Sequence, residues 1–171
     1  MGLDVSPQSI QRCQDLGPKV TAIQSILEFQ PDELADFIIM SHVLEHLPKD
    51  DVVPTLVHIK RNILARSGKM YLAVPKGQSN TGCYWAYEDF THHTLFTAGS
   101  VEFVLKAAGF ESIDFLDPDG TYLSGPFSAL VKKFLLFVYR TKINFWNRIT
   151  GSSFHKPSRQ IFTYDVKVLA Y

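Results

Sequence analysis

The chain has no glycine-rich run. Its ten glycines are scattered over 171 residues, and none sit in the close clusters that let a backbone wrap a phosphate. Cysteine is scarce: Cys13 and Cys83 stand far apart, which excludes a disulfide framework or a Cys-based metal site and points to reduced thiols. No uncharged apolar stretch is long enough to span a bilayer, and the N-terminus lacks the basic-then-apolar pattern of a signal peptide. We therefore expect a cytoplasmic protein. Acid is missing from one region altogether. Residues 120–164 hold seven Lys or Arg and no Asp or Glu, whereas residues 1–119 hold 16 acidic and 9 basic residues. The formal net charge of zero thus hides an acidic body and a basic, aromatic segment near the end.

What is present begins with Asp36 to Pro48. Phe37-Ile38-Ile39-Met40 is apolar without polar alternation, the pattern of a parallel strand buried on both faces. It stops at Ser41-His42, where ligands of open α/β sheets bind beyond the strand's carboxyl end. Upstream, Gly2 to Val5 reads as the tail of a strand. Ser6 is placed as N-cap and Pro7 as first residue of a helix that Gly17 terminates. Asp4 then ends a strand immediately before a helix, a place where an acid can accept hydrogen bonds from ribose hydroxyls.

Val20–Ile26 reads as a short strand. Asp50 or Asp51 is expected to cap a helix with Val53, Leu56, Val57, Ile63 and Leu64 as core positions and Gly68 at its end. Met70–Val74 is a second continuous apolar strand. Residues 76–97 form a long connection rich in aromatics and His, and connections of this length are often functional. Thr97 caps a helix that Gly109 ends, and Ile113 to Phe115 begin another strand. Phe127 to Trp146 is an apolar-basic helical stretch. Phe162, Tyr164, Val166, Val168 and Ala170 then alternate with Thr163, Asp165, Lys167 and Leu169. That is the period of a half-buried strand, antiparallel and near a sheet edge. This rhythm argues a single doubly wound α/β domain over residues 1–171.

Several pieces together resemble the class I S-adenosylmethionine-dependent methyltransferases, most closely the bacterial group associated with surface-polysaccharide genes. They are Gly2-Leu3-Asp4-Val5-Ser6, Ser41-His42-Val43-Leu44-Glu45-His46-Leu47, and Ile59-Lys60-Arg61 leading to Gly68-Lys69. Glu88 through Thr97 and Ala107-Ala108-Gly109-Phe110 complete the set, in family order. The resemblance implies a Rossmann-like, mostly parallel sheet with an antiparallel last strand, and S-adenosylmethionine as cofactor. It also implies O-methylation of a sugar or surface-glycan precursor. It assigns Asp4 to the cofactor ribose, Ser25 and Ile26 to the adenine, and Ser41 and His42 to the methionine end. His92 or His93 would take the acceptor proton, with Asp89 fixing the ring tautomer. The family's glycine-rich turn after its first strand has no counterpart here. We therefore expect an N-terminally truncated domain, a missing strand beside Phe37–Met40, two unpaired sheet edges, and weak cofactor binding.

Two rival readings use the same residues. His42-Val43-Leu44-Glu45-His46 fits the H-x-x-E-H pattern of inverted zinc peptidases, with Glu102 the one obvious acid for a third ligand. The apolar strand runs straight into this motif, so His42 belongs to the junction rather than a helix, and no metal is expected. The other is a non-catalytic module. Residues 127–148 form a basic amphipathic insertion that could meet an anionic membrane or lipid-linked saccharide through Lys132, Lys133 and Arg140 at the inner face. Apolar residues almost encircle this stretch, so packing against the sheet is the favoured expectation. The basic residues form no recognisable nucleic-acid element.

Overall fold

The computed structural model describes residues 1–78, 83–152 and 159–171, apart from the side chains of Trp85 and Ala86. Strands β1 (Gly2–Asp4) and β2 (Val20–Ala22) pair in parallel, joined by helix α1 (Pro7–Asp15). Ser6 Oγ accepts the N–H of Ser9 at 3.3 Å, Pro7 opens the helix, and Gly17 beyond its end has φ 96°. β2 is shorter than the sequence suggests. It stops at Ala22, because Ser25 turns inward to cap a 3-10 turn over Ile26–Glu28.

The second sheet has the order β3-β4-β6-β5. Strands β3 (Ala35–Ser41) and β4 (Leu64–Pro75) are parallel. Between them run a 3-10 turn (Leu44–His46), helix α2 (Lys49–His58) and a π turn (Ile59–Ile63). Helices α3 (Tyr84–Glu88) and α4 (Ala98–Ala107) lead to β5 (Ile113–Phe115), and the long α5 (Pro126–Thr150) leads to β6 (Asp165–Ala170). β6 is antiparallel to both neighbours. It lies one strand in from the sheet's edge, as the alternation suggested, with β5 on its outer side.

The core lies on one face of this sheet. Met70, Leu72, Val74, Val166, Val168 and Ala170 are fully buried, together with Leu56, Val101 and Leu105 from α2 and α4. Each large side chain so buried contributes roughly 1.5–3 kcal/mol before conformational entropy is charged. Thr97 caps α4 in a reciprocal box with Ser100, as its sequence predicts.

Four expectations are corrected. β3 is not buried on both faces: Met40 is 9% exposed, but Phe37 is 54% and Ile39 69% exposed. Ile38 and Met40 face the core, whereas Phe37 and Ile39 project from the opposite face. β4 bonds one edge of β3, and among the described residues no strand bonds the other, so the β1–β2 pair stands as a separate sheet. Gly68 does not end a helix but sits within β4. A Cβ there would lie 2.8 Å from Leu64 Cδ1 and 2.9 Å from the Ala35 carbonyl, beside the irregular pairing of Ala35 and Phe37. α2 begins at Lys49 without a side-chain cap. Asp50 and Asp51 lie inside its first turn, where they favour the helix dipole rather than cap it.

Helix α5 is the fourth. It does not pack into the sheet, and none of its residues is buried. It is held from one side only. Lys132 Nζ donates to the Gly120 carbonyl at 2.5 Å, Arg140 pairs with Asp119 at 2.9 Å, and Tyr139 meets Phe162 edge-on at 5.9 Å. No described helix is long and apolar enough to cross a membrane.

Candidate functional site

β3 and β4 end side by side at Ser41 and Pro75, and the chain departs from each into irregular structure. A pocket of about 510 Å³ opens there, lined by His42, Glu45, His46, Pro75, Glu88, Asp89, Phe90, Thr91, His92 and Tyr164. His42 takes a left-handed conformation (φ 53°), which costs a β-carbon-bearing residue on the order of 1–2 kcal/mol. Its N–H is held by the Ala73 carbonyl at 2.9 Å. This turn carries the ring between two carboxylates, 3.4 Å from Glu45 and 3.7 Å from Asp165.

Both acids are buried. Among the described residues, neither Glu45 oxygen nor Asp165 Oδ1 has a hydrogen-bond partner. Burial pushes the Asp165 carboxyl above its ordinary value, and His42 and Lys167 partly offset that rise. Tyr164 is raised as well, first by burial and then by Asp165 and Glu45.

The far wall is the loop after α3. Backbone N–H groups of His93 and Thr94 donate to the Glu45 carbonyl, which ties the loop to the 3-10 turn. Asp89 Oδ1 accepts from Thr91 N at 2.9 Å and from Thr91 Oγ1 at 2.6 Å, and these bonds hold its carboxyl below the usual range. Thr91 Oγ1 also lies 2.8 Å from His46 Nδ1. Because the hydroxyl's single proton goes to Asp89, His46 must donate from Nδ1, leaving the lone pair on Nε2.

The structure sorts the expected residues. His42, Asp89 and His92 line the pocket; His93 is not among its lining residues and is exposed. The His92 side chain is 8% exposed, with Nε2 4.0 Å from Asp89 Oδ2, too far for a hydrogen bond. The tautomer that Asp89 fixes is therefore that of His46, through Thr91, rather than that of His92 or His93. The histidine pair does not pack on Phe90, whose side chain points into solvent; the Trp85 side chain lies outside the described residues. Asp4 ends β1 with Oδ1 accepting from Ser6 N at 2.8 Å, and Ser25 Oγ caps the turn at Leu27. Asp4, Ser25, Ile26 and Ser41 are not among the residues lining this pocket.

The zinc-peptidase arrangement does not form. His42 sits at the strand junction, His46 in a 3-10 turn, and Glu102 is paired with Lys106 at 2.6 Å on α4. A different trio, Glu45, His46 and His92, offers one ligand atom each within 4.8 Å of one another.

Thr91, Tyr164 and Asp165 were not singled out as site residues from the sequence, and Glu45 only as the glutamate of the H-x-x-E-H pattern. One signal was there for Asp165: it is the lone acid after Asp119.

Residues 1–114, two thirds of the chain, match the family described as methyltransferase domain. The chain belongs to that family. It is similar in fold to an S-adenosylmethionine-dependent methyltransferase from Archaeoglobus fulgidus, at 23% identity and a TM-score of 0.66, over 99% of this chain and 74% of the other. It is also similar to one from Thermotoga maritima, at 16% identity and a TM-score of 0.61, over 99% and 72%. No curated protein matches the chain. Both the Archaeoglobus and the Thermotoga proteins are described as dependent on S-adenosylmethionine. The residues here fit part of a site for that cofactor. A carboxylate at the end of a parallel strand (Asp4) suits a ribose diol, and Ser41 and His42 stand at the carboxyl end of β3, where ligands of open α/β sheets bind. The glycine-rich turn that would complete the cradle is not supplied by these 171 residues.

Proposed function

We propose that this methyltransferase acts on a hydroxyl of a sugar or surface-glycan precursor on the cytoplasmic side of a membrane. The observation that carries this reading is the pocket's lining. Three histidines, three acids, a threonine and a tyrosine surround about 510 Å³ of open space, a density of hydrogen-bonding groups suited to a polyol.

When bound, S-adenosylmethionine supplies an electrophilic methyl group. The chain's residues then have separate tasks. Asp4 holds the ribose, Ser25 and Ile26 flank the adenine, and Ser41 with His42 orient the methionine end. His92 would accept the proton of the acceptor hydroxyl as that oxygen takes the methyl group. Asp89, held ionised by Thr91, lies 4.0 Å away and stabilises the resulting imidazolium.

The test is transfer of labelled methyl to nucleotide-sugar and lipid-linked saccharide acceptors at saturating cofactor. Alkali-stable ether product is expected. His92→Ala should lower turnover about 10²–10⁴-fold with melting temperature unchanged, and His93→Ala should retain it. Full turnover in both variants would move the base elsewhere, and an alkali-labile ester product would exclude hydroxyl methylation.

The unpaired edge of β3 and the absent glycine-rich turn favour a second reading, a non-catalytic module on the same fold. Acceptor binding without methyl transfer at any cofactor concentration would select it.

A further inference from the structure

Helix α5 has the form of a surface-seeking element. Its 25 residues bury no side chain, although it carries ten large apolar residues that remain at least two-fifths exposed. Phe127, Leu130, Phe134, Phe137 and Phe145 recur at steps of three, four or eight, which puts them on one stripe. Trp146 borders that stripe and is 53% exposed. At about 1.5 Å per residue the helix is roughly 37 Å long, so the apolar face far exceeds the scattered exposure usual on a soluble surface.

The opposite face is already in use. Leu136, Tyr139, Arg140 and Ile143 are half-buried, and Lys132 and Arg140 are engaged with Gly120 and Asp119. These two cations, which the sequence offered as membrane contacts, therefore point to the body. Lys133, Lys142 and Arg148 remain exposed, and the helix has no acid to neutralise them.

An apolar arc flanked by Lys133 and Lys142, with Arg148 on the stripe near its end, is complementary to one kind of surface. We infer that α5 docks the protein on an anionic lipid bilayer, lying in the plane of the headgroups with its aromatic stripe inserted. The helix does not span: it is long enough, but five Lys and Arg residues leave it too polar to cross a membrane. A second copy of the chain is a poorer occupant, because two α5 helices face to face would bring their cations together with no acid between them. After α5 the chain continues to Tyr164 and Asp165 beside the pocket, so the docked helix lies close in sequence to the site's last strand.

The experiment is co-sedimentation of the full chain with vesicles of phosphatidylcholine alone or with about a third phosphatidylglycerol, followed in parallel by tryptophan emission. Binding should be at least tenfold tighter to the anionic vesicles and weaken with salt. Emission should shift to the blue on binding, and Trp146→Phe should remove most of that shift. The Lys133→Gln/Lys142→Gln variant, its helix content checked by circular dichroism, should lose most of the charge preference. Phe134→Ser/Phe137→Ser should lose binding to both vesicle types. Absence of vesicle binding would overturn the inference. So would binding indifferent to both double variants, or a concentration-dependent dimer in ultracentrifugation that Phe134→Ser/Phe137→Ser abolishes while vesicle binding persists.

Discussion

His46 Nδ1 lies 2.8 Å from the hydroxyl of Thr91, a residue 45 positions later whose only hydroxyl proton is already given to Asp89. This pair joins the turn after β3 to the loop after α3 and sets the direction in which the His46 ring presents its lone pair. The two walls of the pocket are thereby coupled through one side-chain hydrogen bond.

Thr91→Val should remove this side-chain link and leave the backbone bonds from His93 and Thr94 to Glu45 in place. It removes an acceptor for His46 and a donor to Asp89, at a cost of about 0.5–1.5 kcal/mol for each net hydrogen bond lost. Nitrogen chemical shifts of the imidazole should report the Nδ1–H tautomer in the parent protein near pH 8, and a tautomer mixture in the variant. An unchanged tautomer in Thr91→Val would show that His46 is oriented by something else.

The buried acid at the head of β6 gives a pH dependence whose sign is fixed. Burial raises the Asp165 pKa above its unfolded value. The protonated form is thus the one the fold prefers. Its contribution to stability is full below the unfolded pKa, near 4, and is lost as pH rises through the folded value. Asp165→Asn lacks this component. Melting curves from pH 4 to pH 8 should show the variant gaining on the parent as pH rises. A parent that gains relative to Asp165→Asn over that range would mean that His42 stabilises the carboxylate more than burial disfavours it.

The protein should purify without stoichiometric zinc. Among the described residues Glu45, His46 and His92 gather three candidate ligand atoms within 4.8 Å of one another, one fewer than a closed tetrahedral zinc site needs. Elemental analysis checks this, and one zinc per chain that disappears in His46→Ala would refute it. In that variant, stability should fall through loss of the Thr91 bond.

Much of the architecture was legible because its signals are local. Ser6 and Pro7 open α1, Thr97 opens α4, and the apolar run at Met70–Val74 is a strand whose lining is determined by its own residues. The misreadings came from partners that a linear pattern does not show. Phe37 and Ile39 have the composition of a two-face-buried strand, but they project from the face of β3 opposite the core, where Ile38 and Met40 pack. Gly68 looked like a helix terminator, whereas the close approach of Leu64 and Ala35 requires it. The apolar residues around α5 looked like packing material, and the body engages only a narrow face of that helix.

The candidate site divides in the same way. Its location was readable from the strand end at Ser41-His42 and the long histidine-bearing loop. Its internal chemistry was not, because Asp165 reaches His42 from 123 positions away by strand pairing, and Thr91 stands between the acid and the histidine it orients.

On the proposed reading Asp4, at the carboxyl end of β1, binds the cofactor ribose, and no glycine-rich turn in these residues completes the site. Calorimetric titration of the 171-residue chain with S-adenosylhomocysteine tests this most directly. We predict binding weaker than micromolar that Asp4→Ala weakens further by on the order of 1–3 kcal/mol, the worth of charge-assisted hydrogen bonds. Sub-micromolar binding that Asp4→Ala leaves unchanged would contradict it.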